Sequence, residues 1–353
     1  MFHTYLTIII PSIAAFIITV VMTLFLMSYM KESGVTAIDH NKKGNPTLAG
    51  SGGIAVALGF SVGLFTYIFG SNFPSPSSPF YQPVTSIAVL FSVMLSVILI
   101  STVGFLDDIN VKRKAVKSTD MMDTRQGLKQ WQKPVLTLIG AIPLVAINAG
   151  VKTVAIPLIG VINFGIFYPL VIIPLAIIFA ANAFNLLGGF DGIATGTGMI
   201  AAFGLLLYSL LFGDYTGLLI SSVLFASLVA MFIFNVYPAK IIPGDSFTYL
   251  VGAALVGDMI VGGMEGFGII IFIPWIIEFF LHLRRKFKVT DLGIIQKDGT
   301  MKAPYGRKIY SWTHIIMNLK KCKEWEVSLY MWVVEALFIV LGLAIKLATL
   351  KII

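Results

Sequence analysis

Long apolar stretches recur along the whole chain, and they constrain the fold more than any other feature of the sequence. A helix needs about 20 apolar residues to cross the hydrocarbon core of a bilayer, and several stretches here reach that length. Hydrophobic residues make up 57% of the 353 residues and charged residues only 12%. A water-soluble fold cannot bury so much apolar surface, so we predict an all-α, polytopic membrane protein.

Hydropathy predicts ten transmembrane segments, of which the fourth and the eighth show the weakest signal. The eighth contains Asp258 and several glycines. The stretch 151–166, between the fourth and fifth segments, is broken by Pro157 and Gly160, which favours an interfacial hairpin or loop. The ten segments are 5–30, 51–70, 84–106, 134–150, 167–187, 193–212, 217–236, 248–263, 266–283 and 329–350.

The basic residues predict how these segments are oriented. Loops that follow odd-numbered segments carry 22 of the 25 Lys and Arg residues, and the other loops and the C-terminus carry only Lys152, Lys346 and Lys351. Because cytoplasmic loops are rich in Lys and Arg, we expect the odd loops in the cytosol and both termini on the extracytoplasmic side. We treat 1–353 as one membrane domain, with a basic cytosolic loop at 284–328.

The net charge of +8 is explained by this topology. The basic residues are not interleaved with aromatic residues and do not lie on a soluble module. We therefore expect lipid as a partner and no nucleic acid.

Two adjacent acids, Asp107 and Asp108, close the third segment. Neighbours on a helix point about 100° apart, so both cannot face one ligand unless the helix ends there. We expect one to serve a site and the other to support it. A solvated helix end is the alternative, but acids at membrane depth are costly and are commonly functional.

A second polar group joins the fifth and sixth segments. Asn182 and Asn185 are three residues apart and share one helical face, and Gly188 and Gly189 permit a turn that brings Asp191 back toward them. This set suits a hard cation or a polar ligand, with an amide-capped turn as the alternative.

A third group, Asp245 and Ser246, follows Pro243 and Gly244 at the start of the eighth segment. Either side chain could simply cap a helix. The same helix start also attracts phosphate, and a carboxylate there can hold Mg²⁺ against phosphate oxygens.

The first cytosolic loop places Lys42 and Lys43 before glycines at positions 44, 50, 52 and 53. Glycine beside lysine can wrap a phosphate, although the loop matches neither the nucleotide P-loop nor the dinucleotide fingerprint. Taken alone, the loop leaves phosphate binding and a plain connector equally open.

Two other classes of membrane protein share some of these features, the secondary transporters and purely structural membrane proteins. A secondary transporter also has many spans and buried acids, but carriers place their charges near the membrane midplane, often in repeated halves. Here the acids lie at segment ends and no repeat is evident. A purely structural membrane protein has no need for clustered carboxylates.

In order along the chain, these groups resemble the polyprenyl-phosphate N-acetylhexosamine-1-phosphate transferases. The resemblance rests on Asp107-Asp108, on Asn182 to Asn185 with Asp191, and on Gly244-Asp245-Ser246. It also includes Gly127-Leu128 with Lys133 five residues on. It implies a ten-span enzyme that moves a sugar-1-phosphate from a UDP-sugar to a polyprenyl phosphate with Mg²⁺, Mn²⁺ being possible, and releases UMP.

The resemblance also implies roles for individual residues. Asn185 and Asp245 look like metal ligands, and Asp107, Asp108, Lys133 and Asp191 look like catalytic residues. It implies direct attack by the lipid phosphate or a route through a phosphorylated aspartate, the first being favoured, and it allows a homodimer. The substrate-binding candidates are Lys42, Lys43, Asn182, Arg284, Arg285 and Arg307.

Within this family, the run from Pro243 to Tyr249 is similar to the dolichyl-phosphate GlcNAc-1-phosphate transferases that start N-glycosylation. The Gly-Asp-x-Gly-Ser pattern and histidine triplet of the bacterial peptidoglycan branch are absent. The eukaryotic Arg-His-Arg element is also absent, and Arg284-Arg285 and Arg307 are the basic residues available in its place. We therefore expect an archaeal- or eukaryotic-type enzyme using UDP-GlcNAc. Another UDP-N-acetylhexosamine or undecaprenyl phosphate is the alternative.

Overall fold

The computed structural model describes residues 2–73, 79–80, 85–109, 116–117, 122–123, 127–156 and 159–350. The protein is all-α, with four short antiparallel hairpins. The helices are α1 Phe2–Glu32, α2 Gly53–Asn72, α3 Ile87–Asp108, α4 Gln132–Thr137, α5 Ile142–Ala146, α6 Ile173–Asn185, α7 Ile193–Phe212, α8 Tyr215–Asn235, α9 Asp245–Val261, α10 Glu265–Ile271, α11 Ile273–Leu283, α12 Trp312–Leu319 and α13 Glu324–Leu350.

The short elements connect the helices. A 3-10 turn (Leu138–Ala141) joins α4 to α5, and a π-helical turn (Tyr168–Ile172) precedes α6. The hairpins are β1 Thr36–Ile38 with β2 Thr47–Ala49, β3 Val116–Lys117 with β4 Met122–Asp123, β5 Thr153–Ile156 with β6 Gly160–Asn163, and β7 Ile294–Ile295 with β8 Met301–Lys302. The β5–β6 hairpin confirms the predicted break in the apolar stretch 151–166.

Helical structure occurs at all ten predicted segments, but not every segment has the length of a membrane span. Seven of the described helices are long and apolar enough to cross a bilayer, and the pair α10–α11 makes an eighth. The helical stretch at the fourth segment, Gln132–Ala146, and the helix at the eighth, α9, are shorter. The polytopic all-α fold is therefore confirmed, whereas the number ten stays a prediction.

Proline explains the two most irregular spans. The α10–α11 pair bends by 53° at Phe272, two residues before Pro274 in the first turn of α11. Proline removes a backbone hydrogen bond and clashes with the preceding turn, so the helix kinks there. Pro169 and Pro174 similarly accompany the π-helical start of the fifth segment.

Helix α9 is the centre of the bundle. Every residue from Ser246 to Ile260 is buried, and α2, α3, α6, α7, α8 and α10 pack around it. Because α9 is surrounded by protein and not by lipid, its sequence can include Asp258 and several glycines. This explains its weak hydropathy signal.

Glycines set the distances between α9 and three of its neighbours. A Cβ atom at Gly104 of α3 would lie 2.3 Å from Asp245 O, and one at Gly53 of α2 would lie 2.2 Å from Phe247 N. On α9 itself, a Cβ at Gly252 would lie 2.5 Å from Ala180 O of α6. No side chain fits at these points, so the backbones approach as closely as small residues allow.

This packing brings three helix ends together at one membrane face. Helices α3 and α6 end at Asp108 and Asn185, and α9 begins at Asp245. We call this the site face. The opposite face carries the β5–β6 hairpin, the start of α10 and the end of α13.

The glycine contact at Gly104 generates a prediction. In Gly104→Ala, the added methyl group would push α3 away from the start of α9, so we expect a loss of about 1–3 kcal/mol of stability, as in other overpacked cores. A thermal melt of the detergent-solubilised protein measures the loss. Gly257→Ala in α9 is the matched control, because its Cβ would meet no atom closer than 3.6 Å. Equal melting temperatures for the two variants would contradict the close-packing account.

Candidate active site

Asp108 holds the start of α9 in place. Its Oδ1 accepts a hydrogen bond from the backbone N–H of Asp245 at 2.8 Å, and its Oδ2 accepts from the N–H of Ser246 at 3.1 Å and from the Ser51 hydroxyl at 2.8 Å. The carboxylate is buried and lies at a helix N-terminus, where unpaired N–H groups and the helix dipole favour negative charge. Asp108 therefore acts as a helix cap supplied by a neighbouring helix.

Asp107 points to different partners. Its carboxylate forms an ion pair with Lys133, which also lies 3.0 Å from Asp245 Oδ2. The carboxyls of Asp107 and Asp245 are close enough to hydrogen-bond to each other, and Asn185 Nδ2 lies 3.2 Å from Asp245 Oδ2. We call Asp107, Lys133, Asn185 and Asp245 the reaction cluster.

The loop before α4 is fitted to Asp107. The backbone N–H of Leu128 donates to Asp107 Oδ1, and a Cβ at Gly127 would lie 2.2 Å from the same oxygen. Glycine is therefore required for the loop to approach the carboxylate. This contact places Lys133, the second residue of α4, in the reaction cluster.

The donor set of the reaction cluster fits a hard divalent cation. When both are ionised, Asp107 and Asp245 carry two negative charges against the single positive charge of Lys133, and a bound cation would offset the excess. Asn185 adds an amide oxygen, which accepts from the Thr248 hydroxyl at 2.8 Å. Carboxylate and amide oxygens are the ligands that Mg²⁺ prefers.

Asn182 lies one turn before Asn185 but has other partners. Its Nδ2 donates to Thr137 Oγ1 at 3.0 Å and to Ile178 O at 2.8 Å. It thus ties α6 to α4, the helix that carries Lys133. The sequence predicts a shared helical face for the two asparagines, but only Asn185 lies in the reaction cluster.

A second cluster surrounds Lys42. Its ammonium lies 3.1 Å from Asp39, 2.5 Å from Asp191 and 2.7 Å from Glu324. It also lies 4.6 Å from the centre of the Tyr237 ring. We call Asp39, Lys42, Asp191 and Glu324 the lysine clamp, because it joins the first loop, the turn before α7 and the start of α13.

The electrostatics keep the lysine clamp charged. Burial alone would lower the pKa of Lys42, but hydrogen bonds to Asp191 and Glu324 outweigh burial and raise that pKa. Burial raises the pKa of Asp191, opposed by the hydrogen bonds from Lys42 and from the N–H of Ala239. The three carboxylates are near enough to hold a metal ion, but the ammonium of Lys42 already contacts all three and offsets one of their negative charges.

Asp191 therefore does not fold back toward the asparagines as the sequence suggested. Its Oδ2 accepts from Lys42 and, at 2.8 Å, from the N–H of Ala239. The physical reason is that the ammonium of Lys42 forms an ion pair with the Asp191 carboxylate, whereas an asparagine amide offers only a neutral hydrogen bond. Asp191 and Lys42, assigned separately to catalysis and to substrate binding, contact each other.

The turn at Gly188 and Gly189 is held from both sides. Asp291 Oδ2 accepts from the N–H groups of Gly188 at 3.1 Å and Gly189 at 2.8 Å. Asn41 Nδ2 donates to Gly189 O at 2.6 Å, and its Oδ1 accepts from Gly293 N at 3.3 Å. The turn between the reaction cluster and the lysine clamp is thus fixed by the first and last site-face loops.

Sequence reasoning missed four residues of this site: Asp39, Asn41, Asp291 and Glu324. Asp39 and Asn41 lie beside Lys42 in a loop that was already singled out for its lysines, so local polarity was the available signal. For Asp291 and Glu324 no such signal exists, because their partners are more than 100 residues away in sequence.

The basic loop 284–328 is folded. It contains β7–β8 and α12, and Met301 pairs with Cys322 through a β-bridge. Arg284 donates to Ile309 O at 3.1 Å, and both Arg284 and Arg285 lie over the ring of Tyr310.

The other predicted basic residues of this face are exposed. Arg307 lies at the protein surface, and Lys43 Nζ reaches Lys297 O at 3.4 Å. Within the described residues, none of these basic residues contacts the reaction cluster, so their roles in substrate binding stay predictions. Lys112, Arg113, Lys114 and Arg125 lie outside the described residues.

Known proteins are similar to this sequence along its whole length. Residues 90–263 match the sequence model of glycosyl transferase family 4. A Saccharolobus solfataricus protein named UDP-N-acetylglucosamine–dolichyl-phosphate N-acetylglucosaminephosphotransferase is 33% identical over 98% of this chain and 99% of its own. A Sulfolobus acidocaldarius protein of the same name is 31% identical over the full length of both. A phospho-N-acetylmuramoyl-pentapeptide-transferase of Streptococcus thermophilus is 25% identical over 93% of this chain and 94% of its own.

The buried Asp291 carboxyl generates a pH prediction. Burial raises its pKa to about 6, against the hydrogen bond from Gly189 and with Glu278 and His282 nearby. The unfolded chain binds this proton only near pH 4, so the stability from protonated Asp291 is fully present below about pH 4 and is lost as the pH rises through about 6. We expect the free energy of unfolding of the wild type to fall relative to that of Asp291→Asn between about pH 4.5 and 6.5, by up to about 1.4 kcal/mol per pH unit. The melting temperatures of the two proteins, measured across this pH range, report the difference.

Asp298→Asn is the control for this measurement, because Asp298 is an exposed acid of the same loop. It should track the wild type over this pH range. A parallel pH dependence for wild type and Asp291→Asn would show that the carboxyl does not titrate in this range.

Proposed function

This chain belongs to the polyprenyl-phosphate N-acetylhexosamine-1-phosphate transferase family, and from that premise we propose that it transfers GlcNAc-1-phosphate from UDP-GlcNAc to dolichyl phosphate. The reaction would release UMP and form the lipid-linked sugar on which glycans for N-glycosylation are built. The reaction cluster is the observation that carries the proposal. It places two carboxylates, an amide and a lysine at a membrane face, where a water-soluble donor can meet a lipid phosphate.

Transfer of a phosphoryl group needs alignment and charge neutralisation more than covalent help from the protein. Lys133 supplies a positive charge that Asp107 and Asp245 hold from two sides. Asp107, Asn185 and Asp245 would hold the divalent cation, Mg²⁺ or Mn²⁺, which when bound neutralises charge on the diphosphate. We propose that Lys133 then contacts the phosphates of the donor.

The acceptor phosphate is the proposed nucleophile. A phosphate monoester has a second pKa of about 6, so it is already largely dianionic near neutral pH and needs no strong base. Asp107 would orient it, and Asp108 would keep the start of α9 in register through its hydrogen bonds to Asp245 and Ser246. This supports direct attack over a phosphorylated aspartate, since Asp107 is paired with Lys133 and Asp108 is a buried cap.

An apolar cavity supports a long lipid acceptor. It measures about 340 Å³ and lies between α6 and the bent pair α10–α11, with Ala176, Phe179 and Ile276 among its walls. Helix α6 ends at Asn185, so the cavity and the reaction cluster share one helix. A polyprenyl chain whose phosphate reaches the cluster could lie along this helix.

The lysine clamp is proposed to position the loops and not to bind phosphate directly. Three carboxylates already surround Lys42, which leaves it little net attraction for an anion. Through Asp191 and the turn at Gly188, the clamp would fix the segment that follows Asn185. Lys43, Asn182, Arg284, Arg285 and Arg307 remain candidate contacts for the donor.

The protein is an integral membrane protein, and we propose that its site face lies in the cytosol. The charge split of 22 to 3 between the two sets of loops and the C-terminus supports this orientation. The membrane would be the cell membrane of an archaeon or the endoplasmic reticulum of a eukaryote. A homodimer stays a prediction from the family resemblance.

The two adjacent acids should respond differently to substitution. Asp107→Asn removes a charge from the reaction cluster, so we expect UMP release to fall by at least about a hundredfold, as for other lost electrostatic contacts, with an unchanged melting temperature. Asp108→Asn turns an amide toward N–H donors, so we expect a stability loss of about 1–3 kcal/mol. Equal effects of both variants on both measurements would refute this division of roles.

The substrates are tested by a matrix of donors and acceptors. UMP release is measured in detergent with UDP-GlcNAc, UDP-GalNAc and UDP-MurNAc-pentapeptide, each with dolichyl or undecaprenyl phosphate. We expect the highest turnover with UDP-GlcNAc and dolichyl phosphate, and a loss of Mg²⁺-dependent turnover in folded Asp245→Ala. Turnover with another donor alone would show that this donor, and not UDP-GlcNAc, is the substrate. No turnover with any pair would favour the transporter alternative.

A further inference from the structure

A second cavity, which is partly polar, lies at the membrane face opposite the reaction cluster. It measures about 640 Å³ and is enclosed by the β5–β6 hairpin, the start of α10 and the end of α13. Thr153 and Ala155 lie on the hairpin wall, Phe267 on the α10 wall, and Lys346 and Thr349 on the α13 wall. The proposed transfer reaction makes no use of this cavity.

Lys346 gives the cavity a positive charge. Its ammonium lies 5.7 Å from the centre of the Tyr208 ring and 5.6 Å from that of Phe212, close enough for cation–π attraction. Within the described residues, no carboxylate oxygen lies within ion-pair distance of Lys346. The charge is therefore held in place by two rings without being neutralised.

The one acid in the cavity wall is already engaged. Glu265 accepts a hydrogen bond from the Tyr168 hydroxyl. It would repel an anion only weakly if the anion lies at the Lys346 end. The cavity thus has a basic end and an end at which an acid is hydrogen-bonded.

A second lysine lies at the base of the hairpin and does not line the cavity. Lys152 is exposed and directly precedes Thr153, and its carbonyl accepts from Phe164 N at 2.8 Å, which fixes the base of the hairpin. The sequence places only three basic residues on this face, Lys152, Lys346 and Lys351. Of the two that the structure describes, Lys346 alone lines the cavity, on a face that is poor in positive charge.

The cavity opens toward lipid. Ile159 and Val161 on the hairpin are 71% and 72% exposed, and Val151 before it is half exposed. Exposed aliphatic side chains next to a lysine are the composition of a segment at the membrane interface. An occupant would therefore enter from the leaflet, with its polar end at Lys346 and its chains beside the hairpin.

We propose that this cavity binds the headgroup of an anionic membrane lipid, with the phosphodiester at Lys346. Bound there, the lipid would join the hairpin to α10 and α13, three elements that are far apart in sequence. A free phosphate ester shares the headgroup chemistry but not the chains, so the experiment must separate the two.

The test measures lipid binding to the full-length protein, purified in a neutral detergent and delipidated, by native mass spectrometry and by the shift in melting temperature. Phosphatidylglycerol should bind and raise the melting temperature, whereas zwitterionic phosphatidylcholine and free glycerol 3-phosphate should do neither. Lys346→Gln should weaken phosphatidylglycerol binding about tenfold, the loss expected for one charge-assisted hydrogen bond. Lys320→Gln is the matched control, because Lys320 also lies over a tyrosine ring, that of Tyr330, but at the site face.

Two further variants keep the test decisive if Lys346→Gln does not fold. Lys346→Arg should retain binding because the charge remains, and Ala155→Phe should abolish binding by filling the cavity while leaving Lys346 in place. Equal binding of the two lipids, or wild-type affinity in Ala155→Phe, would overturn the proposal. Equal binding of glycerol 3-phosphate would overturn the lipid as its ligand. None of these measurements uses turnover, so their outcome is independent of the proposed reaction.

Discussion

The buried carboxylate of Asp108 is the interaction on which the active site depends. It satisfies two backbone N–H groups at the start of α9, which otherwise lack partners inside a membrane protein. The same contact requires α3 and α9 to meet without a side chain between them, and Gly104 provides that space. Once the two helices are joined in this way, Asp107 and Asp245 must lie side by side at one membrane face.

Bringing two carboxylates together is unfavourable, and the structure offsets the cost with a positive charge. Lys133 lies between Asp107 and Asp245, held by a loop that contacts Asp107 through Leu128. The net negative charge that remains is what a divalent cation would neutralise. The same arrangement therefore prepares the protein to bind a diphosphate through a metal.

The loops at this face are connected to each other as firmly as the helices are. Asp291 and Asn41 hold the turn at Gly189, and Lys42 joins Asp191 to Glu324 at the start of the last helix. These contacts link the two ends of the chain across a face where loops would otherwise be mobile. A site built from five separate segments can keep its geometry only if such cross-connections exist.

The sequence by itself determined that the chain is an all-α membrane protein and which polar groups are exceptional, because long apolar stretches and acids at their ends are unfavourable unless a membrane and a site explain them. It also located Asp107, Asp108, Lys133, Asn185 and Asp245 as one set through a family resemblance. Only the tertiary structure decided which of the two adjacent acids faces Lys133, that Asp191 pairs with Lys42, and that Asp291 and Glu324 belong to the site. The physical reason is distance along the chain: local patterns report how a helix begins, ends and meets lipid, whereas a hydrogen bond between residues more than 100 positions apart is fixed by packing alone.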